Sequence, residues 1–300
     1  MDRREFAAAV GTLTTLVACG RDEVRADEPE PGSVAPPAPV PAPTPAEPSV
    51  VRVASVKTAV EGNLLPELIA QFEKQSPYRV RMATGVRVYD LARAGDADVV
   101  VSHYGHKDAE AFVLDGLGEW PRTIFSNQMA LLGVSADPAG VRGSENLVDA
   151  FRKIAAAKAP FLINDIDGVH YLTEILWNAI GRPDRTGWLI NQYAAREVAV
   201  VRAAAMGGYT MWGLTPFLRT PMPLEPMVLA DPLLQRMMVS VIVKPSAARR
   251  TNVAGANAFQ SYLLHPATQA AIRQVRYPGR NAVNWVPAGR HNRTAVLPKV

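Results

Sequence analysis

The stretch Gly95-Asp96-Ala97-Asp98-Val99-Val100-Val101-Ser102-His103 decides the fold of this chain. A polar turn is followed at once by an apolar run of β-branched residues, which is typical of a strand buried on both faces of a sheet. Such strands occur mainly where helices cover a parallel sheet. The stretch therefore predicts a buried strand over 97–101 and an α/β fold around it.

Strand-like and helix-like segments alternate on both sides of this strand. The helix predicted over 63–74 shows the pattern well, because its large apolar residues recur at helical spacing. The alternation predicts largely parallel sheets, in which ligands bind at the carboxyl ends of strands and the amino ends of helices. The predicted strands cover 50–56, 78–83, 97–101 and 236–243, and the predicted helices cover 63–74, 86–94, 108–114, 146–157, 168–180, 197–206, 253–264 and 266–275.

The first residues have the pattern of an export signal. Arg3 and Arg4 precede an apolar run that ends at Ala18 and is shorter than the roughly 20 residues that span a bilayer. The run ends in Leu16-Val17-Ala18-Cys19, which matches the lipobox of bacterial lipoproteins. The sequence therefore predicts a lipoprotein signal peptide over 1–19 and a periplasmic or cell-surface protein, exported by the Sec or the twin-arginine route.

Cys19 is the only cysteine, so its sulfur is the predicted attachment point of a lipid, and no intrachain disulfide can form. An incidental cysteine in a cleaved signal is the alternative. Prolines dominate the next segment, and residues 20–48 are predicted to be an extended or disordered linker between the membrane anchor and the domain. Residues 49–300 remain for the folded domain.

Composition and missing motifs limit the function of that domain. The chain is 48% hydrophobic and 20% charged, which is ordinary for a packed globular protein. Its net charge of +4 is scattered, so no nucleic-acid partner is expected. The sequence has no P-loop, GxSxG or HExxH motif, so neither enzyme activity nor a cofactor is expected.

Hydroxyl-bearing residues stand where two predicted strands give way to helices. Ser55, Lys57 and Thr58 are at the end of the first strand, and Thr84 and Gly85 follow the second. Hydroxyls, backbone amides and one ammonium group at such places suit an oxyanion. An ordinary strand–helix turn is the alternative at both places.

Histidines and aspartates cluster twice without a recognised metal-binding spacing, so no metal is predicted. Asp167 is instead expected to cap a helix. The residues concerned are Asp165, Asp167 and His170 in one group and His103 and His106 in the other.

Several motifs together resemble the tungstate-binding branch of the solute-binding proteins of ABC importers. The run 95–103 is similar to the family's GDADVLLVH, and 136–143 is similar to its DDPAGIKG, in the same order. The likeness covers most of the chain after the linker. Further matches are 62–66, 72–74, Asn127 before Gly133, 153–155, 159–161, Gly168, His170, Glu174, Leu176, Trp177 and Tyr209-Thr210.

This resemblance implies the type II periplasmic-binding-protein fold, in which two α/β lobes enclose a ligand cleft. Lobe one would comprise about 49–130 plus 241–300, and lobe two about 131–240. It further implies a monomer that binds a small oxyanion such as tungstate or molybdate and docks on an ABC permease in the membrane. Asn164, His170 and Thr210 lie in the family's ligand loops and are carried over as ligand-binding residues.

Two arginines of the family pattern are absent from the ligand loops. Ile163-Asn164 stands near the expected Ser-Arg pair, and Met211-Trp212-Gly213 replaces Thr-Asp-Arg. Because arginine is the usual partner of a tetrahedral oxyanion, Lys57 or Arg87 is expected to substitute. The alternative is the same fold retuned to another solute, or to signalling or assembly without transport. Tyr209 and Trp212 either line the cleft or belong to the core.

Replacing Cys19 with Ala is expected to release the protein from membranes, because the thiol that would carry the lipid is removed. The measurement is immunodetection of wild type and variant in membrane pellets and supernatants of the expressing cells. If Cys19→Ala sediments with membranes as wild type does, the lipobox interpretation is wrong.

Overall fold

The structure, a computed structural model, describes residues 49–229, 231–246, 250–279 and 284–288, within a compact unit that runs from Glu47 to Val300. The predicted signal peptide, Cys19 and the linker lie outside the described residues. The strands are β1 Ser49–Ser55, β2 Tyr78–Thr84, β3 Val99–His103, β4 Arg122–Gly133, β5 Phe161–Leu162, β6 Leu189–Ile190, β7 Tyr209–Gly213, β8 Glu225–Val228, β9 Gln235–Ile242 and β10 Trp285–Pro287. The helices are α1 Lys57–Glu61, α2 Leu64–Gln75, α3 Val88–Ala94, α4 Lys107–Leu114, α5 Leu147–Ala157, α6 Asp167–Ala179, α7 Glu197–Ala205, α8 Leu214–Arg219, α9 Val253–Leu264 and α10 Pro266–Ile272.

The strands follow the order β2-β1-β3-β9-β4-β7-β5-β6, with β8 and β10 also paired to β4. β1 pairs in parallel with β2 and β3, and β5 pairs in parallel with β6 and β7. By contrast, β9 is antiparallel to β3 and β4, and β4 is antiparallel to β7, β8 and β10. The expectation of largely parallel sheets is therefore wrong at the centre, because the strands that join the two halves run against their neighbours.

Each half of the domain has its own hydrophobic core. The first core packs β1, β3 and β9 against helices such as α2 and α9, and includes Leu68 and Phe259. The second core packs β4, β5 and β7 against α5 and α6, with Phe151 and Phe161 in edge-to-face contact at 5.1 Å between ring centroids. Burying a large apolar side chain contributes roughly 1.5–3 kcal/mol, so each core can stabilise its own lobe.

β4 belongs to both lobes. Its residues up to Gln128 pair with β9, and its residues from Met129 onward pair with β7. Gln128 also links the two connections between the lobes, because its Nε2 donates to the carbonyl of Leu229 at 2.5 Å. β9 pairs within the first lobe from Gln235 onward, so the predicted lobe boundary at 241 falls inside this strand.

Residues 95–103 form a helix end, a turn and a strand. Gly95 has a φ of 87° and ends α3 in the left-handed conformation that favours glycine. Asp98 is fully buried, and its carboxylate accepts hydrogen bonds from the backbone N–H and the guanidinium of Arg52 and from the backbone N–H of Asn252. One carboxylate thereby joins β1, β3 and the start of α9.

Most predicted elements are confirmed to within two or three residues of their ends. The predicted elements do not include β4, which is the longest strand, or β7. They also leave out the short elements α1, β5, β6, α8, β8 and β10, because two to six residues carry too little periodicity. Tyr209 and Trp212 are core residues, 0% and 3% exposed. The Tyr209 hydroxyl donates to Asp137 Oδ1 at 2.6 Å and so fixes the loop 136–143. None of the helices in the described ranges is long and apolar enough to cross a membrane.

Asp98→Asn is expected to lower the free energy of unfolding by about 3–5 kcal/mol, because it leaves the partly buried guanidinium of Arg52 without its charge partner. The control is Asp90→Asn, whose partner Arg87 has a side chain that is 83% exposed. An exposed pair contributes no more than about 1 kcal/mol, so the control is expected to change little. Urea denaturation measures both variants, and equal losses would contradict the role given to Asp98.

Candidate functional site

The carboxyl ends of β1, β2 and β3 bring three of the predicted site residues together. Ser55 lies opposite Thr84 in the β1–β2 register, and the Gly85 N–H donates to the Ser55 carbonyl at 3.1 Å. The Val56 N–H donates to the Val101 carbonyl at 3.0 Å, which fixes the same edge to β3. Ser55, Thr84 and Gly85 therefore form one edge of the first lobe, as the sequence predicts for strand ends in an α/β sheet.

The other two residues of the first predicted loop begin α1. Lys57 is exposed and Thr58 is partly exposed, and both lie in the first turn of this five-residue helix. The Ser55 side chain is fully buried, and its hydroxyl donates to the Val56 carbonyl at 3.1 Å. Lys57 thus offers a charge that is largely hydrated, and the Ser55 hydroxyl already has a partner.

The predicted residues of the second lobe have separate surroundings. Asn164 is fully buried, and its Oδ1 accepts the Arg196 N–H at 2.7 Å while its Nδ2 donates to the Arg196 carbonyl at 3.3 Å. His170 Nε2 lies 2.7 Å from Asp165 Oδ1 at the surface. Thr210 is buried on β7, and its hydroxyl has no hydrogen-bond partner among the residues that the structure describes.

Asp167 does not cap α6 in the way the sequence analysis expected. The N-cap residue is Ile166, which offers no side-chain acceptor, and Asp167 is the first residue of the helix. The N–H groups of Val169 and His170 bond to the Ile166 carbonyl at 2.8 and 3.0 Å. The amides of Asp167 and Gly168 remain at the open amino end of α6.

Buried polar side chains gather where β4 and β9 cross between the lobes. Asn127 lies opposite Arg236 in the register, and Gln128 lies opposite Gln235. Within the described part of the chain, Asn127 Oδ1, Gln128 Oε1, both polar atoms of the Gln235 side chain and the Ser126 hydroxyl are buried without a hydrogen-bond partner. Each unpaired buried polar atom lowers the stability of the folded state by about 1–3 kcal/mol. The polar side chains at this crossing therefore destabilise the fold.

Arg236 is the residue that the sequence analysis missed. Its Nη2, Cζ and Nε atoms lie 3.4, 3.5 and 3.6 Å from the position that a β-carbon would take on Gly168. Burial lowers the pKa of the Arg236 guanidinium, and the nearby Asp167 carboxylate opposes that effect. The available signal was a single charged residue in the strand 235–242.

His103 lies beside this guanidinium and is held neutral. Burial, then the charge of Arg236, then His106 hold the pKa of His103 well below its ordinary value, and the Asn127 side chain opposes them. His106 has a separate role, since its Nδ1 accepts the Asp108 N–H at the start of α4. No group of three or more potential metal ligands occurs among the described residues.

The fold of this chain is similar to that of solved solute-binding proteins. The tungstate-binding protein TupA from Desulfovibrio alaskensis superposes with a TM-score of 0.68 at 26% identity, over 80% of this chain and 100% of that chain. The chain has the type II periplasmic-binding-protein fold. The resemblance to tungstate-binding proteins that the motifs indicated is confirmed. The fold alone is shared with the tungstate ABC transporter from Geobacter sulfurreducens, at a TM-score of 0.58 and 22% identity over 73% of this chain and 95% of that one.

The chain is also similar in sequence to a protein of an ABC transporter. The protein named "Putative ABC transporter anion-binding protein" from Haloferax volcanii is 28% identical over 231 residues, which are 73% of this chain and 67% of the relative. No protein-family model matches the chain. The strand edge of the first lobe consists of the carboxyl ends of β1, β2 and β3, and open α/β sheets bind ligands outside such ends.

Asn164→Ala is expected to lower the free energy of unfolding by about 2–3 kcal/mol, because a buried side chain that makes two hydrogen bonds to the Arg196 backbone is lost. The backbone of Arg196 has a φ of 55°, which these bonds help to hold. The control is Asn191→Ala, which removes an exposed acceptor of the Tyr193 N–H. Urea denaturation reports both. A loss no larger than that of the control would mean that Asn164 is free to serve as a ligand-binding residue.

Proposed function

We propose that this chain is the extracytoplasmic solute-binding protein of an ABC importer, and that it binds a small oxyanion, with tungstate and molybdate as the first candidates. The observation that carries the proposal is the crossing of β4 and β9, where the Arg236 guanidinium and the Asn127 side chain, directly opposite each other in the strand register, lie between two separate hydrophobic cores. A guanidinium with neutral hydrogen-bond donors around it is the arrangement that proteins use for carboxylate, phosphate and related oxyanions.

The relatives support the same class of ligand. One is named as tungstate-binding and one as anion-binding in an ABC transporter. In our proposal the lobes close on the anion by a hinge at the two connections, near Gln128–Met129 in β4 and near Leu229–Gln235. The closed form then docks on a permease in the membrane. Binding and release require no covalent step, so the chain is proposed to be a binding protein and not an enzyme.

The last part of the proposal concerns how the protein is attached to the membrane. Lipid on Cys19 would hold the protein at the outer side of a membrane, and the linker 20–48 would let the domain reach the permease. We propose that the protein acts there as a monomer. Ser55, Lys57, Thr58, Thr84, Gly85, His170 and Thr210 stay proposed ligand-binding residues, together with Asn164.

A second candidate function is the same fold retuned to another solute, or used in signalling or assembly without transport. Met211 and Trp212, which stand where the tungstate-binding family has charge, are buried in two hydrophobic clusters of the second lobe. Neither can offer a charged group to an anion. This favours a ligand less highly charged than a metal-oxide dianion.

Titration calorimetry with tungstate, molybdate and sulfate on the full chain separates the two candidates. We expect heat from tungstate or molybdate, and a rise in melting temperature that corresponds to about 2.7 kcal/mol at a hundredfold excess over Kd. Chloride at the same ionic strength is the control for screening. No heat from any of the three, with folded protein confirmed by circular dichroism, contradicts the oxyanion proposal and favours the second candidate.

A further inference from the structure

Three polar side chains share one face of the first lobe's sheet at the crossing. Asn127 and Arg236 are directly opposite each other on β4 and β9, and His103 of β3 is opposite Met238. Directly opposite residues point to the same face, and so do residues two apart on one strand. The side chains of His103, Asn127 and Arg236 therefore project together, in agreement with the effect of Arg236 and Asn127 on the pKa of His103.

The same face meets the amino end of α6, which belongs to the second lobe. Three guanidinium atoms of Arg236 lie within 3.6 Å of the position of a β-carbon on Gly168. α6 has 13 residues, and the amino end of such a helix carries the equivalent of about half a positive charge. These are ordinary van der Waals distances, so the guanidinium packs against the start of α6.

Two positive groups thus converge from the two lobes. Within the described ranges, the backbone of Arg236 pairs with β4 but its side chain takes part in no ion pair and no hydrogen bond. The Asp167 carboxylate is near enough to oppose the lowering of the Arg236 pKa. Asp167 is exposed, so the surrounding solvent screens the charge of its carboxylate. A guanidinium against a helix amino end is unfavourable alone and favourable with an anion between them.

We propose that Arg236 and the amino end of α6 form the anion clamp of the cleft, and that Arg236 supplies the main positive charge in place of the two missing family arginines. The clamp rests on the proposed function, and it adds Arg236 as the residue that makes the site prefer a negatively charged ligand. The clamp recognises an anionic oxygen group, in an oxyanion or in a carboxylate. Its donors are the guanidinium, the amides of Asp167 and Gly168, and the neutral side chains of His103 and Asn127. Because it joins the lobes, a bound anion would hold them closed.

The test compares wild type with Arg236→Met, which removes the charge and keeps most of the length. Binding of tungstate, molybdate, sulfate, phosphate and acetate to the full chain is measured by calorimetry and thermal shift. Arg236→Met is expected to weaken the binding of whichever anion wild type holds by about ten- to a hundredfold, as expected when a charge-assisted hydrogen bond is lost. Arg236→Lys is expected to lose less. Arg152→Met, an exposed position on α5, is the matched control and is expected to bind as wild type does.

A second variant adds charge to the clamp and does not depend on Arg236→Met folding. Gly168→Asp sets a carboxylate near the guanidinium, so it is expected to raise the melting temperature of the ligand-free protein and to abolish anion binding. Gly168→Asn has the same shape without the charge. It is expected to raise the melting temperature less than Gly168→Asp does and to leave part of the anion binding intact. Equal effects of the Asp and Asn variants would mean that bulk, and not charge, acts at this position, and would overturn the clamp.

The outcomes separate this inference from the proposed function. If tungstate or molybdate binds wild type and Arg236→Met equally while Lys57→Met loses affinity, the clamp is wrong and the oxyanion proposal stands. If only acetate binds, and Arg236→Met loses it, the clamp stands and the oxyanion proposal fails. If none of the five anions distinguishes wild type from Arg236→Met, the clamp is overturned.

Discussion

The antiparallel pairing of β4 with β9 is the constraint on which the rest of the structure depends. β4 pairs with β9 through Gln128 and with β7 from Met129, so a single strand belongs to both lobes. A one-residue slip in this register would exchange the two faces of the strand. Asn127 and Arg236 would then no longer face the amino end of α6 together.

The electrostatics of the crossing follow from that register. A positive guanidinium, a neutral imidazole and the amide of Asn127 lie together without a carboxylate of their own strands. Arg52 of β1, by contrast, has its charge balanced by a 2.6 Å pair with Asp98. Arg52 completes a hydrogen-bond network within the first lobe and stabilises the fold. Arg236 lies between the lobes, where an anion can supply its missing charge partner.

Local patterns made much of the fold predictable. The polar turn and apolar run at 95–103 indicated a buried strand, and the structure adds the reason for Asp98, which no periodicity contains. Ser55 and Thr84 were predictable as neighbours because parallel strands end at a common edge. Arg236 was not predictable, because its neighbour Gly168 is far away in sequence and only the register brings them together. Asn164 shows the opposite case, in which a residue from a ligand-like loop is tied to the backbone of Arg196.

The central claim is that an anion binds between the lobes at the strand crossing. Anomalous diffraction at a tungsten absorption edge, from crystals of the protein grown with tungstate, locates the metal directly. We expect one strong peak between the lobes, with oxygens about 3 Å from the Arg236 guanidinium and from the amides at the start of α6. A strong peak elsewhere on the protein, or no ordered tungsten in a structure whose lobes are well defined, would contradict it.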